Sequence, residues 1–378
     1  MIRLPSCAGA LLALVMLGCA DGGDSRGLAD GTPADVGMDA AVLAGARTYA
    51  FTEERHTQAV VVVRDGAVVA EWYAEDRDQD SLATSWSIAK SFTSALIGIA
   101  LERGEIPSVD TPMHTWFPEF LGTDKEASTL RDVLEMASGI AWIESSEADD
   151  AGDSDIAEMA LTDGESHVDI VLDNEVAHPP GTFFNYSSGD TMMLSHVLQQ
   201  STGMRTDQYA QRFLFDRIGI DEVRWWRDRS GHTLTYCCAD LEARDFAHFG
   251  QLFLDRGVYD GRQVVSESWV AESIAPSRSN DEYGLQWWLP GNWDDRLPPD
   301  TYAAIGVDGQ YIYIIPSLDL VVVRLGRYYP TFEPDGVVTT SLFSVIPNDG
   351  ILPERGTQAP ETWDDYDFLA PVIDSIQD

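Results

Sequence analysis

Lysine is almost missing: Lys90 and Lys125 are the only two in 378 residues, and arginine supplies the rest of the permanent positive charge. Twenty-four lysines and arginines face 63 aspartates and glutamates, for a formal net charge of −39. So acidic a surface repels phosphate backbones and anionic lipid headgroups, which excludes nucleic acid as a partner and points to solubility or salt adaptation. Cysteine is scarce too. Of the four, Cys7 and Cys19 flank the first apolar stretch, while Cys237 and Cys238 are neighbours. A bridge between adjacent cysteines is geometrically demanding and no other partner remains, so two small buried thiols and no disulfide framework are expected. No apolar run reaches the roughly 20 residues that a permanent bilayer-spanning helix needs. The histidines show no HExxH or close pairing that would suggest a metal site, and no GxSxG offers a strained strand-to-helix nucleophile turn. No metal or organic cofactor is expected.

What is present starts with the pattern of an export signal, Arg3 followed by an apolar run from Ala8 to Leu17. "MLGC" at residues 16–19 resembles a bacterial lipobox, which implies removal of residues 1–18, lipidation of Cys19 and a place in the cell envelope. Ala20 stands where an aspartate would signal inner-membrane retention, so the outer membrane is favoured, with a periplasmic or secreted form as the alternative. On this reading the lipid is the only membrane contact. Residues 19–37, rich in Gly, Asp and Ala, read as a flexible tether, and the folded domain is expected over 38–378.

Within that domain "QAVVVVRDGAVVAEWYA" gives two strands joined by Asp65 and Gly66, a hairpin dipeptide. From Ser87 to Arg103 the chain is apolar almost all round, which predicts a buried helix ended by Gly104. Residues from about 111 to 240 lack strong strand signals and read as a helical insertion. "ARDFAHFGQLFLDRG" is an amphipathic helix, and "TYAAIG", "GQYIYIIP" and "LDLVVVRLG" are three strands whose short connections make them antiparallel. The fold class is therefore α/β in the α+β sense, an antiparallel sheet flanked by helices.

"SWSIAKSF" at residues 85–92 carries the chemistry. Ser87 and Lys90, three apart on one helix, share a face, so hydroxyl and amine come within hydrogen-bonding reach. Apolar burial disfavours the ammonium, and a neutral amine can take the serine proton. A bare SxxK recurs by chance. Here, however, a chain that otherwise uses arginine places a lysine in a buried helix, and arginine cannot give up its proton to serve as a base.

"TSWSIAKSFTSALIGIALERGEI" is similar to the nucleophile segment of the serine β-lactamase-like hydrolases, the branch with class C β-lactamases, family VIII esterases and aminohexanoate-dimer hydrolases. "LRDVLEMASGIAW", "GTFFNYSSGDTMMLSHVLQQSTG", "ARDFAHFGQLFLDRG" and "GVDGQYIYIIPSLDLVVV" follow in the family's order, over roughly residues 45 to 330, and resemble most the nylon-oligomer subgroup. The resemblance implies a β-lactamase/transpeptidase-like fold with Ser87 as nucleophile, Lys90 as base and Tyr186 as proton relay, its phenol lowered by a neighbouring ammonium. Ser188 takes the place of the asparagine of the YxN motif and is assigned to substrate binding. Asp308, Gly309 and Gln310 occupy the strand edge where relatives carry Lys-Thr-Gly or His-x-Gly, and the backbone amides of Ser87 and Val307 are the expected oxyanion donors. An aspartate there repels a substrate carboxylate, which argues against β-lactams and peptidoglycan peptides. Among Trp142, Trp225, Trp226, Trp287 and Trp288, only Trp142 is assigned to the cleft, from its place in "SGIAW". The expected activity is hydrolysis of a small ester or amide through an acyl-enzyme. The alternatives are a β-lactamase or D,D-peptidase, and an exported binding protein that has kept the scaffold but not the activity.

Overall fold

The valine run of residues 60–63 has no polar alternation because both faces of its strand are covered. Ala59, Val61 and Val63 enter one core cluster, Val60 and Val62 a second one on the opposite face. The computed structural model describes residues 28–52, 55–144, 154–156, 159, 166–221, 223–327 and 363–377. Eleven strands occur among them: β1 (Ala29–Asp30), β2 (Thr57–Arg64), β3 (Ala67–Tyr73), β4 (Leu82–Thr84), β5 (Arg224–Trp225), β6 (Ala239–Glu242), β7 (Val258–Tyr259), β8 (Arg262–Gln263), β9 (Tyr302–Gly306), β10 (Gln310–Ile315) and β11 (Leu320–Gly326). The α-helices among them are α1 (Ala40–Ala50), α2 (Ile88–Glu102), α3 (Leu130–Leu134), α4 (His167–Asp173), α5 (Ser188–Thr202), α6 (Thr206–Phe213), α7 (Ala243–Leu254), α8 (Glu267–Ser273) and α9 (Asp365–Asp374).

The main sheet runs β1-β3-β2-β11-β10-β9, antiparallel except for the parallel β1–β3 pair. Asp65 and Gly66 close the β2–β3 hairpin with φ of +50° and +73°, as a two-residue turn of this kind requires. Helices α1 and α9 contribute Leu43, Ala46, Phe368 and Leu369 to the core on one face of the sheet. The other face meets α7, and α2 lies in the same core, buried at every residue from Ile88 to Ala100. A second sheet, β4-β6-β5, ties the segment before α2 to the far end of the helical region.

Two expectations are corrected. The fold is under way before Met38: β1 pairs with the outer edge of β3, and Gly31 N donates to Val68 O at 3.0 Å. Main-chain pairing of this kind needs no side-chain pattern, so composition reads as a tether what the sheet edge recruits. Cys237 and Cys238 are also not free thiols but a disulfide between neighbours, where Cys238 turns the chain at φ +69°. Residues 1–18 and Cys19 lie outside the described residues. Among the described residues no helix is long and apolar enough to cross a membrane.

Candidate active site

A serine at a helix N-cap ordinarily spends its hydroxyl on the free amides of the first turn. Ser87 does not: it already has helical dihedrals (φ −67°, ψ −5°), makes no side-chain cap, and leaves its Oγ for other use. Trp86, immediately before it, takes φ +43°, a left-handed conformation that costs energy in a non-glycine residue and has to be held by its surroundings. The clamp is visible next door. Ser85 N donates to Ala239 O at 2.7 Å, and Ala239 N returns a bond to Ser85 Oγ at 3.0 Å.

One turn later Lys90 is 1% exposed, and its Nζ lies 3.0 Å from Ser87 Oγ, 2.9 Å from Ser188 Oγ and 3.2 Å from the carbonyl oxygen of Tyr236. Burial pulls its ammonium down to about 8, against a smaller upward pull from the Glu144 carboxylate. A neutral amine matches these contacts: two N–H groups for Ser188 Oγ and the Tyr236 carbonyl, and one lone pair toward Ser87. The other lysine does something different. Lys125 donates to the carbonyl of Leu172 near the end of α4, an ordinary cation at a helix C-terminus.

The ring of Tyr186 is 4.9 Å from Lys90 Nζ, and its phenol is hydrogen-bonded to Ser87 and receives the indole N–H of Trp288. Trp288 also stacks on that ring, with centroids 5.2 Å apart. Burial and the Glu144 carboxylate push the phenol up, not down as expected for a neighbour of an ammonium. Desolvation of the phenolate outweighs the nearby amine. Tyr186 is therefore held as a neutral phenol, a donor.

At the mouth, β9 ends against the Ser85–Ser87 turn. A Cβ on Gly306 would fall 2.7 Å from Ser85 O and 3.0 Å from Ser87 N, so only glycine lets the strand approach this closely. That approach brings the start of the Val307–Gly309 turn beside the Ser87 amide, the arrangement that an oxyanion hole needs. The turn is held from behind by Arg324, fully buried, which donates to the carbonyls of Gly309 at 2.7 Å and Asp308 at 3.3 Å.

The structure brings Ser87, Lys90 and Tyr186 together, seats Gly306, the residue before Val307, against the Ser87 turn, and gives several other predicted residues protein partners instead of an open face. Ser188, 1% exposed, is engaged between Lys90 and Glu144 rather than facing a substrate. Gln310, 2% exposed, spends its amide on both backbone groups of Gly326, at 2.9 and 3.2 Å. Gly309 is buried, and Asp308, at φ +66°, lines a recess with Arg77, Trp86 and Arg327. Trp142 is 4% exposed, wedged against Gly189, where an added Cβ would come within 2.6 Å of its ring. Trp225, Trp226 and Trp287 are core residues as expected, whereas the cleft tryptophan is Trp288. Sequence reasoning also missed Glu144. Its position two residues past the "SGIAW" motif was the available signal, but nothing local shows that the loop folds back onto α5.

The Beta-lactamase family model matches residues 46–334. Over 296 residues the chain is 25% identical to the 6-aminohexanoate-dimer hydrolase of Paenarthrobacter ureafaciens, covering 73% of this chain and 74% of that one. Among solved structures, a Bacillus anthracis protein provisionally described as a 6-aminohexanoate-dimer hydrolase superposes with a TM-score of 0.63 at 23% identity, over 74% of this chain and 75% of its own. A family VIII carboxylesterase superposes with a TM-score of 0.59 at 14% identity, over 76% of this chain and 90% of its own. With a match to more than half of its length, a β-lactamase/transpeptidase-like fold and these neighbours, the chain belongs to the Beta-lactamase family, whose members here are hydrolases.

Proposed function

We propose that this protein is a serine hydrolase that cleaves small esters or amides through an acyl-enzyme on Ser87. The observation that carries the reading is the desolvated Lys90 amine 3.0 Å from Ser87 Oγ, with the phenol of Tyr186 on the same oxygen. Lys90 takes the Ser87 proton as Oγ attacks the carbonyl carbon. The oxyanion that forms is met by the amides of Ser87 and Val307, and Tyr186 gives its proton to the leaving group while regaining one from Lys90. Water, activated by the same groups, then releases the acid.

The name of the Paenarthrobacter relative supports an amide or ester of modest size. Val307, 59% exposed on the turn beside Ser87, favours an apolar acyl or leaving group. The basic and apolar N-terminal stretch with Cys19 supports export and lipid anchoring of the enzyme.

Turnover of short p-nitrophenyl esters by the native protein and by Ser87→Ala tests the reading. Loss of all but background activity in the variant is expected; equal turnover by both refutes it, and nitrocefin turnover exceeding that of the esters would favour the lactam reading. The oxyanion site has its own test. Gly306→Val is expected to push the end of β9 off the Ser87 turn and to lower kcat by about 10²-fold or more, the cost of one lost oxyanion donor. Fluorophosphonate labelling of Ser87 should persist, and a kcat within threefold of native would show that β9 does not supply the hole.

A further inference from the structure

Glu144 has no part in the acyl-transfer scheme, yet its carboxylate closes a line of hydrogen bonds that starts at the nucleophile. Ser188 Oγ, 2.9 Å from Lys90 Nζ, donates to Glu144 Oε1 at 2.6 Å. The other carboxylate oxygen accepts from Ser188 N at 3.1 Å and from the Trp142 indole. Once Lys90 is neutral, donation can run one way from Trp288 N–H to the Tyr186 phenol, to Ser87 Oγ, to Lys90 Nζ, to Ser188 Oγ and into Glu144, whereas the ammonium donates to Ser87 Oγ as well. A carboxylate cannot donate, so the Ser188 hydroxyl must, and its lone pairs then face Lys90.

We propose that Glu144, acting through the Ser188 hydroxyl, is the positioning residue that turns the Lys90 lone pair toward Ser87 and steadies the ammonium that forms when Lys90 takes the serine proton. The inference rests on Lys90 being the base, as proposed above. It also accounts for a serine at 188. A hydroxyl accepts from the amine and donates to a carboxylate through one oxygen, whereas an asparagine would have to accept with its amide oxygen and donate with its nitrogen, two atoms about 2.3 Å apart. A mere helix cap would need only the Ser188 N–H, not the shorter side-chain bond.

Three titratable groups face Lys90: Tyr186, Tyr236 with its ring 5.8 Å away, and Glu144. Burial pushes both phenols up and keeps them neutral, which leaves Glu144 as the charge that acts on the amine. In Glu144→Gln the amide oxygen can still accept from Ser188 N and Trp142, but its N–H₂ then donates to Ser188 Oγ. The chain reverses, and Ser188 donates to Lys90, which favours the neutral amine and occupies its lone pair.

The test is the rate of Ser87 labelling by a fluorophosphonate as a function of pH, measured on the full chain. The native rate should rise through a midpoint near 8, where Lys90 loses its proton. For Glu144→Gln the midpoint should move down by about one pH unit while the plateau rate falls about tenfold or more, because an opposite charge has been removed from the base. Ser188→Ala should shift in the same direction, and the double variant should be no worse than the weaker single one. Glu144→Asp, which keeps the charge, should hold the native midpoint. A native midpoint in Glu144→Gln, or independent losses that multiply in the double variant, overturns the proposal. If Glu144→Gln does not fold, a native profile in Ser188→Ala overturns it equally. Labelling of Ser87→Ala at the native rate would instead strike at the nucleophile itself, so the two failures are distinguishable.

Discussion

Lys90→Arg is expected to abolish turnover, by about 10³-fold or more, while Lys90→Met is expected to be equally inactive yet more stable than the native protein at neutral pH. Arginine keeps the charge and the reach but holds its proton at every accessible pH, so Ser87 loses its acceptor. The stability effect follows from burial. Below pH 8 both the folded and unfolded chains carry the Lys90 ammonium, and the folded one bears the full cost of its desolvation. From about pH 8 to 10.5 only the unfolded chain holds that proton, and stability climbs with pH. Above 10.5 the penalty is gone. The gap between the ordinary 10.5 and about 8 corresponds to roughly 3 kcal/mol, an upper bound on what methionine can recover at pH 7 because it also gives up three polar contacts. Denaturant unfolding at pH 7 and pH 10.5 should show the Lys90→Met advantage shrinking with pH. A variant less stable than native at pH 7 would mean that the amine is not buried against its preference.

Tyr186→Phe is expected to cost about 10²–10⁴-fold, the usual range for loss of a general acid–base group, and the loss should depend on the leaving group. Burial holds the phenol protonated, and in the proposed scheme it donates to a leaving atom that needs a proton. An amine or alkoxide departs poorly without one, and an activated p-nitrophenolate does not need it. Turnover of an anilide and a p-nitrophenyl ester with the same acyl group should therefore diverge in the variant, the anilide losing at least ten times more. Equal losses would remove Tyr186 from the leaving-group step. The Trp288 ring should keep the phenylalanine in place through their stack, so the comparison isolates the hydroxyl.

Much of this was legible locally. The spacing of Ser87 and Lys90 on a helix apolar on all sides specifies both their proximity and the burial of the amine, because i and i+3 side chains share a face whatever the rest of the chain does. The three C-terminal strands are equally determined, since their loops are too short for anything but antiparallel pairing. Trp142 shows the other case. A tryptophan after "SGIA" looks like a cleft residue until α5 is packed against it, and Gly189 then receives the ring and closes it in the core. Ser188 and Gln310 were misread for the same reason: a polar residue near a motif offers its side chain to a substrate only if no protein partner claims it first.

The amino-acid order by itself determined that Ser87 and Lys90 share a helix face, that the helix which carries them is buried, and that the chain has almost no lysine, all of which follow from spacing along one chain or from composition. Tertiary structure alone decided that Glu144 reaches Lys90 through Ser188, that Trp288 and not Trp142 holds the phenol, that Cys237 and Cys238 are bonded, and that Gly306 seats β9 against the Ser87 turn. Each of these joins segments far apart in the chain or hangs on one residue's backbone angle. Helical and strand periodicity carry no information about either, because they record only which face of a segment is apolar and not what comes to rest on it.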